Sequence, residues 1–387
     1  MITIKDKKDC CGCSACVQRC PKQCISMKED EEGFLYPVVD TAHCIDCGLC
    51  EKVCPVIHQD APREPKRVYA AKNPDDSIRM SSSSGGVFTL LAEQVIARGG
   101  VVFGARFDEW WEVVHGYTET IEGLAAFRGS KYVQSRIGES YRDAERFLQA
   151  GKEVLFSGTP CQVAGLRRYL RKGYDNLLTV DFICHGVPSP GVFRHYLKEM
   201  KEMIIRKNRV ESVLIKDISF RDKRLGWKKY SFSLTFSILQ KGKREKVLVH
   251  SESKYKNTFL KGFVRDLYLR PSCHKCPAKA FKSGSDVTIG DFWAINTYLP
   301  GKNDHRGYSL CMDHTNIKLP CIVYKFDKDD VYKTNQPIFH SSKMHKYRND
   351  FFCEYAKGGE VISLINRYAV VPFRRKIHLL IANILNN

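Results

Sequence analysis

Long apolar runs are missing from this chain. No stretch approaches the ~18 residues needed to span a bilayer, and the opening MITIKDKKDC has no apolar core of the kind a secretion signal carries. No nucleic-acid motif accompanies the basic residues, which sets nucleic acid aside as a partner. These absences predict a cytoplasmic protein without a transmembrane segment. Cysteine, by contrast, is abundant, with 17 in 387 residues. Without a secretion signal, that number argues for metal and redox chemistry in a reducing compartment and against disulfides. A hydrophobic content of 43% is enough for a sizeable core. Charge is uneven: the total is +19, yet residues 1–60 hold 7 Lys and Arg against 10 Asp and Glu, a net −3 that leaves +22 for the rest. A basic body is either ordinary solvated lysine or a surface that steers an acidic partner or anionic substrate.

One cysteine pattern occurs twice. Cys10, Cys13, Cys16, Cys20 and Pro21 read C-x2-C-x2-C-x3-C-P, and Cys44, Cys47, Cys50, Cys54 and Pro55 read the same. Three thiolates at this spacing wrap one iron–sulfur cube, and the fourth reaches the other cube, as in two-cluster ferredoxins. One [4Fe-4S] cluster is therefore assigned to Cys10, Cys13, Cys16 and Cys54. The second is assigned to Cys44, Cys47, Cys50 and Cys20. Zinc is the rival for dense cysteine, but a zinc ribbon uses paired C-x2-C knuckles, not triplets followed by Cys-Pro. Cys11 and Cys24 fall outside the pattern and read as packing residues, as do Cys311, Cys321 and Cys353.

Residues 61–67, APREPKR, read as a linker. Ser81 to Gly86 precedes a helical pattern, and VVFGARF (101–107) reads as a strand. EVLFSG (153–158) reads as a buried strand, and Thr159 and Pro160 open a helix after it. LLTVDFIC (177–184) is the next strand, and Ser189-Pro190 opens the next helix. This order predicts parallel strands with Cys161 and Cys184 on one rim of the sheet, where open α/β sheets hold ligands. Alternation at Tyr230, Phe232, Leu234, Phe236 and Ile238 predicts antiparallel strands over one core face. Cys273 and Cys276 form a C-x2-C that needs two more ligands, and Cys161 and Cys184 are the best candidates. A third [4Fe-4S] cluster on these four is the leading reading. Zinc on the same four, a redox-active Cys273/Cys276 dithiol and unrelated thiols are its rivals. The basic, then apolar tail VPFRRKIHLLIANILNN reads as a segment packed on the body, with an amphipathic membrane-surface or partner helix as the alternative.

The strings SSSSGGVFTLLAEQVIARGGVVFGARFDE, RGSKYVQS, SGTPCQVAGL, DFICHGVPSP and CHKCPAKAFKSGSDVTIGDFWAI resemble the family of coenzyme F420 hydrogenase/dehydrogenase beta subunits. The resemblance covers roughly residues 68–315, behind a fused dicluster ferredoxin. It implies FAD beside a [4Fe-4S] cluster, with flavin contacts at Ser84, Gly85, Gly86, Lys131, Tyr132, Gln134, Ser157, Gly158 and Thr159. A cation such as Lys131 near the flavin would stabilise its negative charge.

The expected fold is α+β: a two-cluster ferredoxin domain at 1–60, then an α/β flavin-binding body with a mixed sheet. The body divides into regions 68–150 and 151–315, and 316–387 forms a basic C-terminal extension. The expected function is an iron–sulfur flavin-dependent oxidoreductase. It would relay electrons from an acidic carrier, ferredoxin or flavodoxin, to an anionic or deazaflavin-like small-molecule acceptor. His185 and Asp291 are the candidate acid–base residues, because both fall near the flavin rim. The rival function is a non-catalytic electron-transfer subunit.

Overall fold

The computed structural model describes residues 1–239, 245–317, 322–327 and 332–370. Cys321 and the tail over 371–387 lie outside them. The strands are β1 (Ile25–Glu29), β2 (Leu35–Val39), β3 (Arg67–Ala71), β4 (Val101–Phe107), β5 (Val113–Thr118), β6 (Val154–Gly158), β7 (Leu177–Phe182), β8 (Ser212–Asp222), β9 (Ser231–Leu239), β10 (Lys246–Ser253), β11 (Val287–Asp291), β12 (Ser309–Asp313) and β13 (Ile322–Phe326). Eight of them form one mixed sheet in the order β13-β3-β12-β11-β7-β6-β4-β5. At its centre β4, β6, β7 and β11 run parallel. An inner parallel strand is covered on both faces, so it must be apolar throughout. Accordingly Val154, Leu155 and Phe156 of β6 are fully buried.

Two short motifs aim this sheet at a site. Thr159 caps the Pro160–Leu170 helix, Pro160 sits at its first position and Gln162 closes a capping box. Ser189 caps the Pro190–Asn208 helix by accepting from the Val192 N–H. The first helix returns the chain for the parallel strand β7; the second leads to β8 in a separate sheet, and β11 joins β7 in parallel later in the chain. The carboxyl ends of β6, β7 and β11 therefore share one rim.

A second, antiparallel sheet has the order β10-β9-β8. The alternating residues Phe232, Leu234, Phe236 and Ile238 of β9 all face its core, as their spacing requires. That core also takes in the Pro190–Asn208 helix and two late helices, Arg348–Ala356 and Val361–Tyr368.

The two expected regions of the body share one sheet. β4 and β6 lie on opposite sides of residue 150 yet are hydrogen-bonded neighbours. The body also runs on past residue 315: β13 pairs with β3, and Phe351, Val361 and Ile365 are fully buried. Nor is 61–67 a free linker. The Arg63 N–H donates to the Phe281 carbonyl at 3.1 Å and the Lys66 N–H to Asp313 at 2.8 Å.

The N-terminal segment is welded to this body. Ala15 and Val53 are fully buried in a core shared with the Ser140–Gln149 and Pro160–Leu170 helices. Gln18 reaches across and accepts from the Tyr141 and Arg142 N–H groups at 3.0 and 3.1 Å, capping the Ser140–Gln149 helix, which has no side-chain cap of its own. Gly33, at φ +80°, lies so close to Gly191 that a Cβ there would meet the Gly191 Cα at 2.5 Å. No helix among the described residues is long and apolar enough to cross a membrane.

Candidate metal centre

Each cysteine run begins with a loop that wraps a cavity. Ser14 (φ 61°) and Gly48 (φ 68°) take the left-handed conformation and start the one-turn helices Ala15–Arg19 and Leu49–Lys52. Cys16 and Cys50 project from these turns, and Pro21 and Pro55 cannot carry a helix onward. Cys10, Cys13, Cys16 and Cys54 line one cavity of about 350 Å³, counted with its open space, among Ile2, Ile4 and Val56. Cys20, Cys44, Cys47 and Cys50 line another of about 350 Å³. Thus the fourth cysteine of each run sits with the first three of the other. The Ile2 N–H donates to the Cys50 sulfur at 3.3 Å. Cys24 packs in the core beside this cavity, with its sulfur 3.5 Å from that of Cys20.

A third cavity, of about 680 Å³ counted the same way, is lined by Cys161, Cys184, Cys273 and Cys276, and also by Cys11. Cys161 follows β6 and Cys184 follows β7. Cys273 lies on a short 3-10 turn, Pro271–Lys275, and Cys276 caps it. The Val187 N–H donates to the Cys273 sulfur at 3.4 Å, and the Thr159 hydroxyl lies 3.2 Å from the Cys161 sulfur. Burial pushes the Cys184 thiol up to about 12, so a thiolate here needs a compensating cation, which a bound metal supplies. Four cysteines around one cavity are a donor set that fits a cube, with one thiolate to each iron. Cys11 lines both this cavity and the Cys10–Cys54 cavity, a placement that its spacing alone did not reveal.

The residues expected at a flavin divide into two groups. The first lies beside a cluster of buried cations near the rim. Ser84 donates to the Tyr308 carbonyl at 2.7 Å and accepts, through its own carbonyl, from Lys223 Nζ at 2.7 Å. Gly85 is packed so closely that a Cβ would meet the Ser309 nitrogen at 2.5 Å, and Gly86 (φ +80°) starts the Val87–Ala97 helix. The Ser130 N–H donates to the Ser83 hydroxyl at 2.6 Å, bringing this loop against the Lys131 loop. Lys131 is half-buried and donates to the Arg128 and Gly129 carbonyls; burial pulls its ammonium down to about 7. Tyr132 stacks on Phe263 at 4.7 Å.

The second group is engaged elsewhere. Gln134 turns toward the N-terminal segment, where it donates to the Cys11 carbonyl at 3.0 Å and accepts from Arg270 at 2.9 Å. Ser157 donates to the Phe103 carbonyl at 3.0 Å, Gly158 packs on Gln162, and the Thr159 N–H donates to Gln162 at 2.9 Å.

That cluster is formed by residues that the sequence did not single out. Arg221 is buried against the rings of Tyr230 (4.5 Å) and Trp293 (5.2 Å). Its Nη1 pairs with Asp291, while its Nε and Nη2 are buried without a hydrogen-bond partner. Burial pulls Lys223 down to about 7 and Lys254 to about 8. Cations held at such a cost favour an anion beside them. The signal available in the sequence was the basic and aromatic run RDKRLGWKKY at 221–230. Asp291 also accepts from Trp227 Nε1 at 2.9 Å. His185 lines the third cavity instead, with Nε2 2.6 Å from Asp266. The two candidate acid–base residues are thus each tied to a separate charged partner.

Cysteine-lined cavities packed into a mixed-sheet body define an iron–sulfur electron-transfer protein of the oxidoreductase class. Comparison with known proteins makes this specific. Residues 151–336 match the family described as the C terminus of the coenzyme F420 hydrogenase/dehydrogenase beta subunit, and residues 9–57 match the 4Fe-4S dicluster domains, which bind two clusters. The chain is 23% identical over 247 residues to one of the subunits of the F(420)H(2) dehydrogenase of Methanosarcina mazei, spanning 54% of this chain and 68% of that protein. It is 27% identical over 175 residues to a coenzyme F420-dependent sulfite reductase of Methanocaldococcus jannaschii, covering 26% of that protein. Its N-terminal segment is 42% identical over 65 residues to Ferredoxin 7Fe of Hydrogenibacillus schlegelii, covering 77% of it. A chain in a solved F420-reducing [NiFe] hydrogenase complex from Methanosarcina barkeri aligns over 80% of this chain and 94% of its own, at 16% identity and a TM-score of 0.41.

Proposed function

We propose that this chain is a cytoplasmic iron–sulfur flavoprotein that relays electrons from a ferredoxin-type donor to FAD and on to an anionic, planar acceptor such as a deazaflavin. The observation that carries the reading is the continuity between cysteine-lined cavities. Cys11 borders both the Cys10–Cys54 cavity and the cavity of Cys161, Cys184, Cys273 and Cys276. These last four would hold a third [4Fe-4S] cluster. Lys131, Tyr132, Arg221 and Lys254 would receive the anionic ring systems, with the unpartnered Arg221 nitrogens as donors. When bound, clusters carry single electrons and a flavin converts between one- and two-electron steps. The protein's own part is to exclude water, to fix the thiolates and to supply positive charge beside the flavin.

Anaerobic reconstitution, with iron, sulfide and flavin counted per chain, tests this. About twelve irons and one FAD are expected from three cubes and one flavin. About eight irons would remove the third cluster. A second reading, a non-catalytic electron-transfer subunit, is favoured by the engagement of His185 and Asp291 in charged pairs. Turnover of an artificial acceptor, with none of a deazaflavin, would select it.

A further inference from the structure

Arg270 is fully buried, three positions before Cys273. Its Nε donates to the Cys10 carbonyl at 2.8 Å and its Nη1 to Gln134 at 2.9 Å. Its Nη2 donates to the Leu35 carbonyl at 2.9 Å and approaches the Cys10 sulfur at 3.6 Å. The guanidinium lies 4.2 Å from the centre of the Tyr36 ring. Other buried arginines have carboxylates: Arg79 has Asp304, Arg221 has Asp291 and Arg348 has Glu32. Among the described residues Arg270 is paired with none, and the groups whose negative charge would favour it are Cys10, Tyr36, Cys11 and Cys273. A buried charge left uncompensated is strongly unfavourable, so a group of opposite sign belongs beside it.

We infer that Arg270 is the counter-charge of the cluster held by Cys10, Cys13, Cys16 and Cys54, and that it raises this cluster's reduction potential above that of its neighbour. The inference rests on the ligand reading given above. A cube with four thiolates carries a net charge of about −2 and takes up one electron to reach about −3. No bond breaks and no proton moves. The guanidinium attracts the reduced form more strongly, and it does so in a medium from which water is excluded. The cations lining the Cys20–Cys50 cavity, Lys22 and the Met1 ammonium, are exposed to water, where ions screen them. An electron therefore settles on the inner cluster, next to Cys11 and the third cavity. Arg270 is a positioning residue that sets the direction of flow.

The test is an EPR-monitored redox titration of the full reconstituted chain, with dithionite as the one-electron donor. Arg270→Gln is expected to make one ferredoxin-type cluster at least tenfold harder to reduce, about a 59 mV shift for one electron. Arg270→Lys should keep most of the original value. Intact iron with unmoved potentials in both variants would overturn this assignment alone. Wild-type protein lacking the iron for two clusters would overturn the ligand reading with it. If the glutamine variant does not fold, wild-type protein labelled with 15N-arginine decides. Pulsed EPR of its reduced state should show nitrogen coupling to a cluster, and its absence would overturn the inference.

Discussion

Replacing Glu32 by Gln should loosen the N-terminal segment from the body at a large and measurable cost. Glu32 sits in the turn between β1 and β2, and its two oxygens accept from Arg348 Nη1 and Nη2 at 2.9 and 2.6 Å. The side chains are 12% and 5% exposed, so little water competes for either. Arg348 also donates to the Leu269 carbonyl at 3.2 and 3.0 Å, one residue before Arg270. The pair thus fastens a late helix, the N-terminal hairpin and the loop that leads to Cys273. The amide keeps the shape but not the charge, which leaves a guanidinium buried and uncompensated. Removing one partner of such a pair costs about 3–5 kcal/mol, a large share of the ~5–15 kcal/mol that holds a typical domain. Urea unfolding followed by circular dichroism, with iron content fixed, measures it. The double variant Glu32→Leu with Arg348→Met should recover most of the loss, because it removes both charges at once. A single-variant cost below ~1 kcal/mol would refute the reasoning, since that is the value of an exposed pair.

Three further outcomes follow from the same geometry. Gly165→Ala would place a Cβ 2.8 Å from the Cys13 Cβ and 3.0 Å from its sulfur; iron bound by the inner ferredoxin site should fall while the fold survives, as iron analysis and EPR will show. Cys184→Ser should lower iron by about four per chain and leave the N-terminal clusters' spectra unchanged. Burial holds Lys131 at about 7 in the free protein, so an anion bound beside it favours the protonated form. Affinity for an anionic ring should therefore weaken as pH rises from about 6 to about 9, on either side of that value, with proton uptake on binding near neutrality; calorimetry in buffers of different ionisation enthalpy reads both, and Lys131→Met should flatten the profile.

What was legible in the sequence was local. The cysteine triplets state their own geometry, because a turn with two intervening residues can only curl its thiols inward. The β6–helix–β7 unit was legible because Thr159, Pro160, Ser189 and Pro190 mark helix starts by chemistry that acts within one turn. The residues that finish the site depend on distant parts of the chain. Arg221 gains its partners only when Asp291 and Trp293 arrive from β11 and the turn after it. Gln134 belongs to the string RGSKYVQS, yet its amide is held by Cys11 and Arg270, neither of which is near it in sequence. The APREPKR stretch has linker composition, and only its bonds to Phe281 and Asp313 make it part of the body. Residues 322–326 complete a sheet edge that nothing nearby in sequence specifies.

Charge is where sequence and structure differ in meaning. The contrast between an acidic N-terminal segment and a basic body first suggests an acidic partner arriving from solution. Much of that complementarity is satisfied inside the chain. Asp60 pairs with Arg168, Glu29 with Arg194 and Glu32 with Arg348, while Arg19 pairs in the opposite sense with Glu145. The acidic segment is thus a partner already docked, and net charge alone requires no other. The rim of the outer cavity sets Lys22 and the Met1 ammonium against Asp46, Glu51 and the nearby Asp40, which leaves it net negative. An acidic carrier approaching there is repelled at low ionic strength, whereas one approaching the lysines of the body is drawn in. Salt must therefore speed electron delivery at the first place and slow it at the second, so the sign of the salt effect identifies where the carrier docks.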